Sequence, residues 1–249
     1  MILKGSTLLL DMDGVIAEVS QSYRAAIIKT CHFYEALSVT FETIAQRKAK
    51  GGCNNDWALS LDLIRSDPNG RQDVTLDEVT ETFEMFYQGD ESKNISGLYR
   101  LETLIPDLNL LKELRKRCSG GMGIVTGRPR KDCEKFLSLF DIQHLFDVCV
   151  CMEDGPLKPH PFPVLHACEK LGVSPSQQVL MVGDTPDDIR AAVGAGVTAV
   201  GVVTPDSHAN ALKEGKPFDS CLLSTAMKEC GARYIMEPGF ERLLDFFPE

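Results

Sequence analysis

The run Leu8-Leu9-Leu10-Asp11-Met12-Asp13-Gly14-Val15 constrains the fold more than any other stretch of this chain. A short, uninterrupted apolar segment has the character of a strand buried on both faces. It stops at two carboxylates spaced two residues apart, and side chains i and i+2 of a strand point the same way. Two acids on one face at the carboxyl end of a buried strand are costly unless a cation or a reaction calls for them. Asp13-Gly14 also suits an ordinary strand-to-turn exit, so the pair alone leaves both readings open.

The same kind of run recurs downstream. Residues 122–126, 147–151, 178–182 and 197–203 are short and largely apolar, as strands covered on both sides should be. Helical patterns lie between them. Leu108, Leu111 and Leu114 share one face; Cys133, Phe136, Leu137 and Phe140 another; Val164, Leu165, Cys168 and Leu171 a third; Ile189, Ala192 and Val193 a fourth. Strand and helix alternating in this way predict an α/β fold, a Rossmann-like parallel sheet with helices on both faces. Residues 16–98 break the rhythm. They carry helical patterns over 23–36, 41–50, 58–64 and 76–87, punctuated by Gly51-Gly52 and Asp67-Pro68-Asn69-Gly70. We read 16–98 as an all-helical insert in a core formed by 1–15 and 99–249, since insertion is tolerated where the two ends lie close together. The stripe Phe240, Leu243, Leu244 and Phe247 predicts a last helix docked on the core.

Open parallel sheets bind ligands at the carboxyl ends of their strands, and polar residues gather at those ends. Besides Asp11 and Asp13, Thr126-Gly127-Arg128-Pro129 follows the second strand, with Pro129 suited to the first position of a helix. Backbone N–H groups and the helix dipole there favour an anion such as phosphate. Lys158 lies in a loop stiffened by Pro156, Pro159 and Pro161. A lysine in a polar loop is ordinarily solvated; the prolines could instead aim its ammonium at a fixed point. Gly183-Asp184-Thr185-Pro186-Asp187-Asp188 follows the fourth strand. Thr185 suits an N-cap, Pro186 the first helical position, and Asp187 and Asp188 the positive end of the helix. Asp184 has no such structural reason. Together these residues place Asp11, Asp13, Asp184 and Asp188 at one sheet edge. Like charges so close raise one another's pKa or demand a cation, and an all-oxygen donor set suits Mg²⁺.

Composition excludes some classes. A net charge of −10 argues against binding nucleic acid or an anionic membrane through bulk charge, and no apolar run reaches the length of a membrane span. It leaves anionic substrates open, because a local cation overrides the net field. Nine scattered cysteines without a CxxC pair do not form a disulfide framework, and Met1-Ile2-Leu3-Lys4-Gly5 lacks a signal-peptide layout. Cys149 and Cys151, on one face of a strand, read as small buried residues rather than metal ligands. The expectation is reduced thiols in the cytoplasm.

Taken in order, Asp11-Met12-Asp13-Gly14-Val15, Thr126, Lys158 and Gly183-Asp184 with Asp187-Asp188 resemble the four motifs of the haloacid dehalogenase superfamily, over roughly residues 7–215. The helical insert resembles that family's C1-type cap, and the chain is similar to its phosphoglycolate-phosphatase-like branch. The resemblance implies hydrolysis of a small phosphate monoester. Asp11 would be the nucleophile that becomes an aspartyl-phosphate, and Asp13 the general acid and base. Thr126 and Gly127 would hold phosphoryl oxygens, and Lys158 would balance their charge. Mg²⁺ would be held by Asp11, the Asp13 carbonyl and Asp184, with Asp188, or Asp187 next to it, in support. Family dehalogenases and phosphonatases lack a carboxylate at the place of Asp13, so its presence favours phosphate esters. A phosphosugar mutase shares these core residues, and a phospho-ligand-binding relative without catalysis is the remaining alternative. Substrate choice is expected from the cap, above all from Lys50, Asn54, Asn55 and Trp57. Asn54 or Asn55 as a helix cap and Trp57 as cap core is the competing reading of that stretch. The expected partner is a small phosphorylated metabolite, and the expected state a monomer or weak homodimer.

Overall fold

The computed structural model describes residues 4–248. The expectation of a start without a leader falls partly on residues 1–3, which lie outside the described residues. Two compact units emerge. One comprises the chain up to Glu18, Ala49–Gly52 and Leu104–Glu249; the other comprises Val19–Lys48 and Cys53–Thr103.

The larger unit is built on a six-stranded sheet. Its strands are β1 Thr7–Leu10, β2 Met122–Val125, β3 Val148–Val150, β4 Val179–Gly183, β5 Thr198–Val202 and β6 Tyr234–Met236. Their order is β6-β5-β4-β1-β2-β3, and every pairing is parallel. The central strand β1 is fully buried, with Leu9 beside Gly123 on one flank and Met181 on the other. That burial explains why its sequence is continuously apolar rather than alternating. The chain runs outward from β1 to β2 and β3, then returns to the far side of β1 for β4 to β6. The order therefore reverses at β1, the place where doubly wound sheets open a ligand crevice.

Helices α5 Leu108–Arg117, α6 Arg130–Leu139, α7 Phe162–Leu171, α8 Pro186–Gly194, α9 Pro205–Lys213 and α10 Leu222–Glu229 connect these strands. Asp107 begins α5 by accepting from the N–H groups of Asn109 and Leu110, which meets two donors that the helix itself leaves unpaired. The apolar faces of α7, α8 and α10 join one core cluster with Leu9, Val125, Met181 and Ala199.

Helices α1 Tyr23–Phe33, α2 Phe41–Lys50, α3 Asp56–Ser66 and α4 Leu76–Gln88 fill the insert. The smaller unit has its own core. Tyr23 packs its ring 4.3 Å from Tyr87 and 5.6 Å from Phe83, centroid to centroid. The buried Glu102 carboxylate accepts from Ser22 Oγ at 2.9 Å and from Tyr87 Oη at 3.0 Å. Thr75 and Glu78 start α4 with a reciprocal capping box.

Two features differ from expectation. The sheet has a sixth strand, Tyr234–Met236, and the stripe at the end of the chain forms a short 3₁₀ helix, Glu241–Phe246, rather than an α-helix. Phe240, Leu243, Phe246 and Phe247 are buried, so the docking role is kept with a tighter turn. Among the described residues no disulfide joins any of the nine cysteines, and no helix is long and apolar enough to cross a membrane.

Leu9→Ala leaves a cavity at the centre of the sheet and should cost about 2–5 kcal/mol in urea unfolding. Leu139→Ala, at a position 58% exposed, should stay within about 0.5 kcal/mol. Equal effects would contradict β1 as the centre of the core.

Candidate active site

Parallel register carries three polar groups to one edge. The Asp11 N–H donates to the Val182 carbonyl at 2.9 Å, extending the β1–β4 ladder by one residue. The Thr126 N–H donates to Val150 in the same way beyond β2. Asp184 follows directly on β4. Asp11, Thr126 and Asp184 therefore leave adjacent strands at the same end, and all three are buried. Gly14 makes the turn after β1 at φ +76°, where a Cβ would run into the Asp184 carboxylate and Thr204.

Lys158 comes to this edge from the loop after β3. It is not solvated: only 3% of it is exposed. Its ammonium lies 2.8 Å from Asp11 Oδ1 and 2.5 Å from Asp188 Oδ1, and donates to the Val125 carbonyl at 3.0 Å. Asp188, in the first turn of α8, accepts through its other oxygen from the N–H and hydroxyl of Thr185. That fixes the carboxylate that fixes the lysine.

Oxygen atoms of Asp11, Asp184 and Asp188 all lie within 4.8 Å of one another. Asp11 and Asp188 thus share one ammonium, with the Asp184 carboxylate close beside them. Burial and the neighbouring acids Asp188, Asp184 and Asp13 push the Asp11 carboxyl well above the usual carboxylate range, although Lys158 opposes them. Burial acts to deprotonate Lys158, but Asp11 and Asp188 override it and hold the ammonium above its ordinary pKa. The residues therefore fit a divalent cation, because such an ion eases the repulsion among carboxylates this close, and oxygen donors suit a hard one.

The remaining predicted residues divide. Asp13 is near this edge, but its Oδ1 accepts from Arg128 Nε and Nη2, each at 2.6 Å. Asp187 lies outside the carboxylate cluster. Its Oδ2 accepts from the Gly52 N–H at 2.7 Å, and its Oδ1 sits 3.2 Å from Arg190 Nη1. At Gly51, φ +84°, a Cβ would strike Arg190 and Asp187, so this turn needs glycine. The helix start after Thr126 offers an anion fewer donors than expected. Helix α6 begins at Arg130, one residue later than Pro129 suggested. The Arg130 N–H goes to the Glu153 carboxylate at 3.0 Å, and the Arg128 N–H to Thr126 Oγ1 at 3.1 Å. Thr126 and Gly127 remain the candidates at that turn.

Of the insert residues, Asn55 caps α3 by accepting from the Ala58 N–H at 3.0 Å. Trp57 donates from Nε1 to Glu84 at 3.1 Å. Both have structural work inside the smaller unit. Asn54 is half-buried, and Lys50 is exposed in the segment that clusters with the larger unit. Arg128 was not among the predicted site residues. An arginine in a turn reads as solvated, and only its position two residues past a strand-end threonine hinted otherwise.

The family profile described as haloacid dehalogenase-like hydrolase matches residues 8–202, and the chain belongs to that family. Over 242 residues it is 47% identical to a Phytophthora nicotianae protein named imidazoleglycerol-phosphate dehydratase, covering 97% of this chain and 52% of that protein. Over 141 residues it is 34% identical to a phosphoglycolate phosphatase of Haemophilus influenzae, covering 56% of this chain and 59% of that one. The chain thus spans a little over half the length of these curated relatives. A solved structure from Haemophilus somnus, described as a predicted phosphoglycolate phosphatase, matches with a TM-score of 0.70 at 22% identity over 97% of each chain. That likeness speaks to the fold.

Folding keeps a proton on Asp11 that the unfolded chain releases near 3.8. The resulting stabilisation is fully present below that pH and is lost as pH rises through the raised native value. In chelator at neutral pH, Asp11→Asn should therefore melt higher than wild type. A gain of about 2–4 °C corresponds to about 1 kcal/mol in a chain of this size. The difference should shrink in acid or when a divalent cation is added to wild type. A lower melting temperature for the variant at neutral pH would contradict the raised carboxyl of Asp11. For Asp187→Ala, exchange of the Gly52 amide should speed up about tenfold or more, since a hydrogen bond to a charged group is lost. An unchanged rate would remove Asp187 as its anchor.

Proposed function

We propose that this chain is a Mg²⁺-dependent phosphatase that hydrolyses a small phosphate monoester through an aspartyl-phosphate on Asp11. The observation that carries the reading is the buried cluster of Asp11, Asp184 and Asp188, two of which hold Lys158.

Asp11 Oδ2 attacks phosphorus while the ester oxygen departs, which splits one hard displacement into two easier ones. Asp13 gives a proton to the leaving alcohol and later takes one from the attacking water. Lys158 stays protonated throughout and balances charge shared between the nucleophile and the phosphoryl group. Thr126 and the Gly127 N–H hold phosphoryl oxygens. Asp11, the Asp13 carbonyl, Asp184 and Asp188 are the groups that would hold the cation. When bound, Mg²⁺ offsets the repulsion between carboxylate and phosphate. The helical unit acts as a C1-type cap governing substrate choice, with Lys50 and Asn54 as its contact candidates. Nine cysteines without a disulfide among the described residues support a reducing compartment such as the cytoplasm.

The test is phosphate release from a panel including 2-phosphoglycolate, imidazoleglycerol phosphate and sugar phosphates, with Mg²⁺ and with chelator. Wild type should turn over with metal only, and Asp11→Asn should retain less than about one part in a thousand, the scale of losing a covalent nucleophile. Release by Asp11→Asn would overturn the covalent route. Sugar-phosphate isomerisation without release would indicate a mutase, and binding without turnover a non-catalytic relative.

A further inference from the structure

Arg128 is among the largest fully buried side chains of the protein. A guanidinium does not lose its proton in a protein, so its burial needs a carboxylate partner. Asp13 is one such partner, with both Nε and Nη2 of Arg128 converging on its Oδ1 at 2.6 Å. Two further contacts hold the arginine. Its guanidinium carbon lies 5.4 Å from the Phe136 ring centroid. Its backbone N–H donates to Thr126 Oγ1, a candidate phosphate contact. The rigid member of the pair is thus the arginine, while the Asp13 side chain is 25% exposed.

We propose that Arg128 is a positioning residue for Asp13, anchoring the carboxyl through Oδ1 so that Oδ2 alone handles the transferred proton. This rests on the phosphatase reading above. A carboxyl held at one oxygen can neither swing into solvent nor exchange its two oxygens by rotation. Proton transfer needs a heavy-atom approach of about 2.6–3.2 Å, and a displacement of about 1 Å can cost a hundredfold. In the first step the Asp11–phosphorus bond forms and the ester P–O bond breaks, while the Oδ2 proton passes to the departing oxygen. In the second, water oxygen bonds to phosphorus, the Asp11–phosphorus bond breaks, and a water proton returns to Oδ2. The sum is ester plus water giving alcohol plus phosphate, with no further reactant.

A merely structural Arg128 would affect all esters alike. A positioning residue acts only where the leaving group needs a proton. The experiment compares kcat/KM for an alkyl phosphate and p-nitrophenyl phosphate in wild type, Arg128→Gln, Arg128→Lys, Asp13→Asn and the Arg128→Gln/Asp13→Asn double variant. Arg128→Gln should lose about tenfold or more on the alkyl ester and far less on the aryl ester, a share of the 10²–10⁴-fold that general acids supply. Lysine, with one compact ammonium in place of a two-pronged fork, should recover part of that loss. In the Asp13→Asn background, Arg128→Gln should add nothing on the alkyl ester. Equal losses on both esters, or an undiminished loss in the Asp13→Asn background, overturn the proposal. If Arg128→Gln does not fold, Arg128→Lys carries the same comparison of esters. No phosphate release by wild type from either ester overturns the phosphatase reading itself and this proposal with it, an outcome distinct from an active wild type with flat Arg128 variants.

Discussion

Two buried carboxylates sharing one buried ammonium, with a third carboxylate close beside them, are the constraint on which the rest of this site depends. Burying charge is expensive, and breaking a buried pair by removing one partner leaves the other uncompensated. Lys158 meets Asp11 and Asp188 at once, and Asp188 is itself locked by Thr185. No single member can move without exposing a charge to an apolar surrounding. Burial, with the neighbouring acids, nevertheless pushes Asp11 toward its protonated form. A site of this kind is held in a costly state by the fold, and a bound cation relieves it.

The scaffold holds that state by register. Leu8, Leu9 and Leu10 are each paired on both flanks, so the residue that follows them has almost no freedom in position. Asp11 continues the ladder through its own N–H, as Thr126 does next to it. Positions built on strand ends are more precise than positions built on loops. Lys158 is the member supplied by a loop, and it is tied back to the same sheet through the Val125 carbonyl. Strand geometry thus fixes the acids, and the acids in turn fix the lysine.

The features legible in the sequence were those produced by local physics. Strands buried on both faces write continuous apolar runs, so β1, β2, β4 and β5 stand out, and period-3.6 patterns mark the four helices of the insert. The edge strand Tyr234–Met236 is three residues long and only partly buried, which leaves no such run to read. Tertiary placement was opaque. Residue chemistry alone makes Lys158 a solvated loop lysine, and only the family resemblance assigns it to the site. Asp187 and Asp188 are adjacent and look alike in the sequence, yet one lies beside Lys158 and the other accepts from Gly52, because neighbouring helix positions face about 100° apart. The fate of Arg128 depended on Asp13, 115 residues away in the chain.

On the proposed mechanism, Asp11 and Asp13 are each paired with a different cation, and the difference follows the work that mechanism assigns to them. Asp11 shares the ammonium of Lys158, a compact charge on a flexible stem that can serve two carboxylates and a phosphoryl group together. Such a partner does not dictate which oxygen attacks. Asp13 meets the fork of Arg128, whose donors have a fixed geometry and converge on one oxygen. A nucleophile needs charge balance as its bond to phosphorus forms and breaks, whereas a proton carrier needs aim. The lysine supplies the first property and the arginine the second. Exchanging the two cations would keep the net charge of the site and lose both functions.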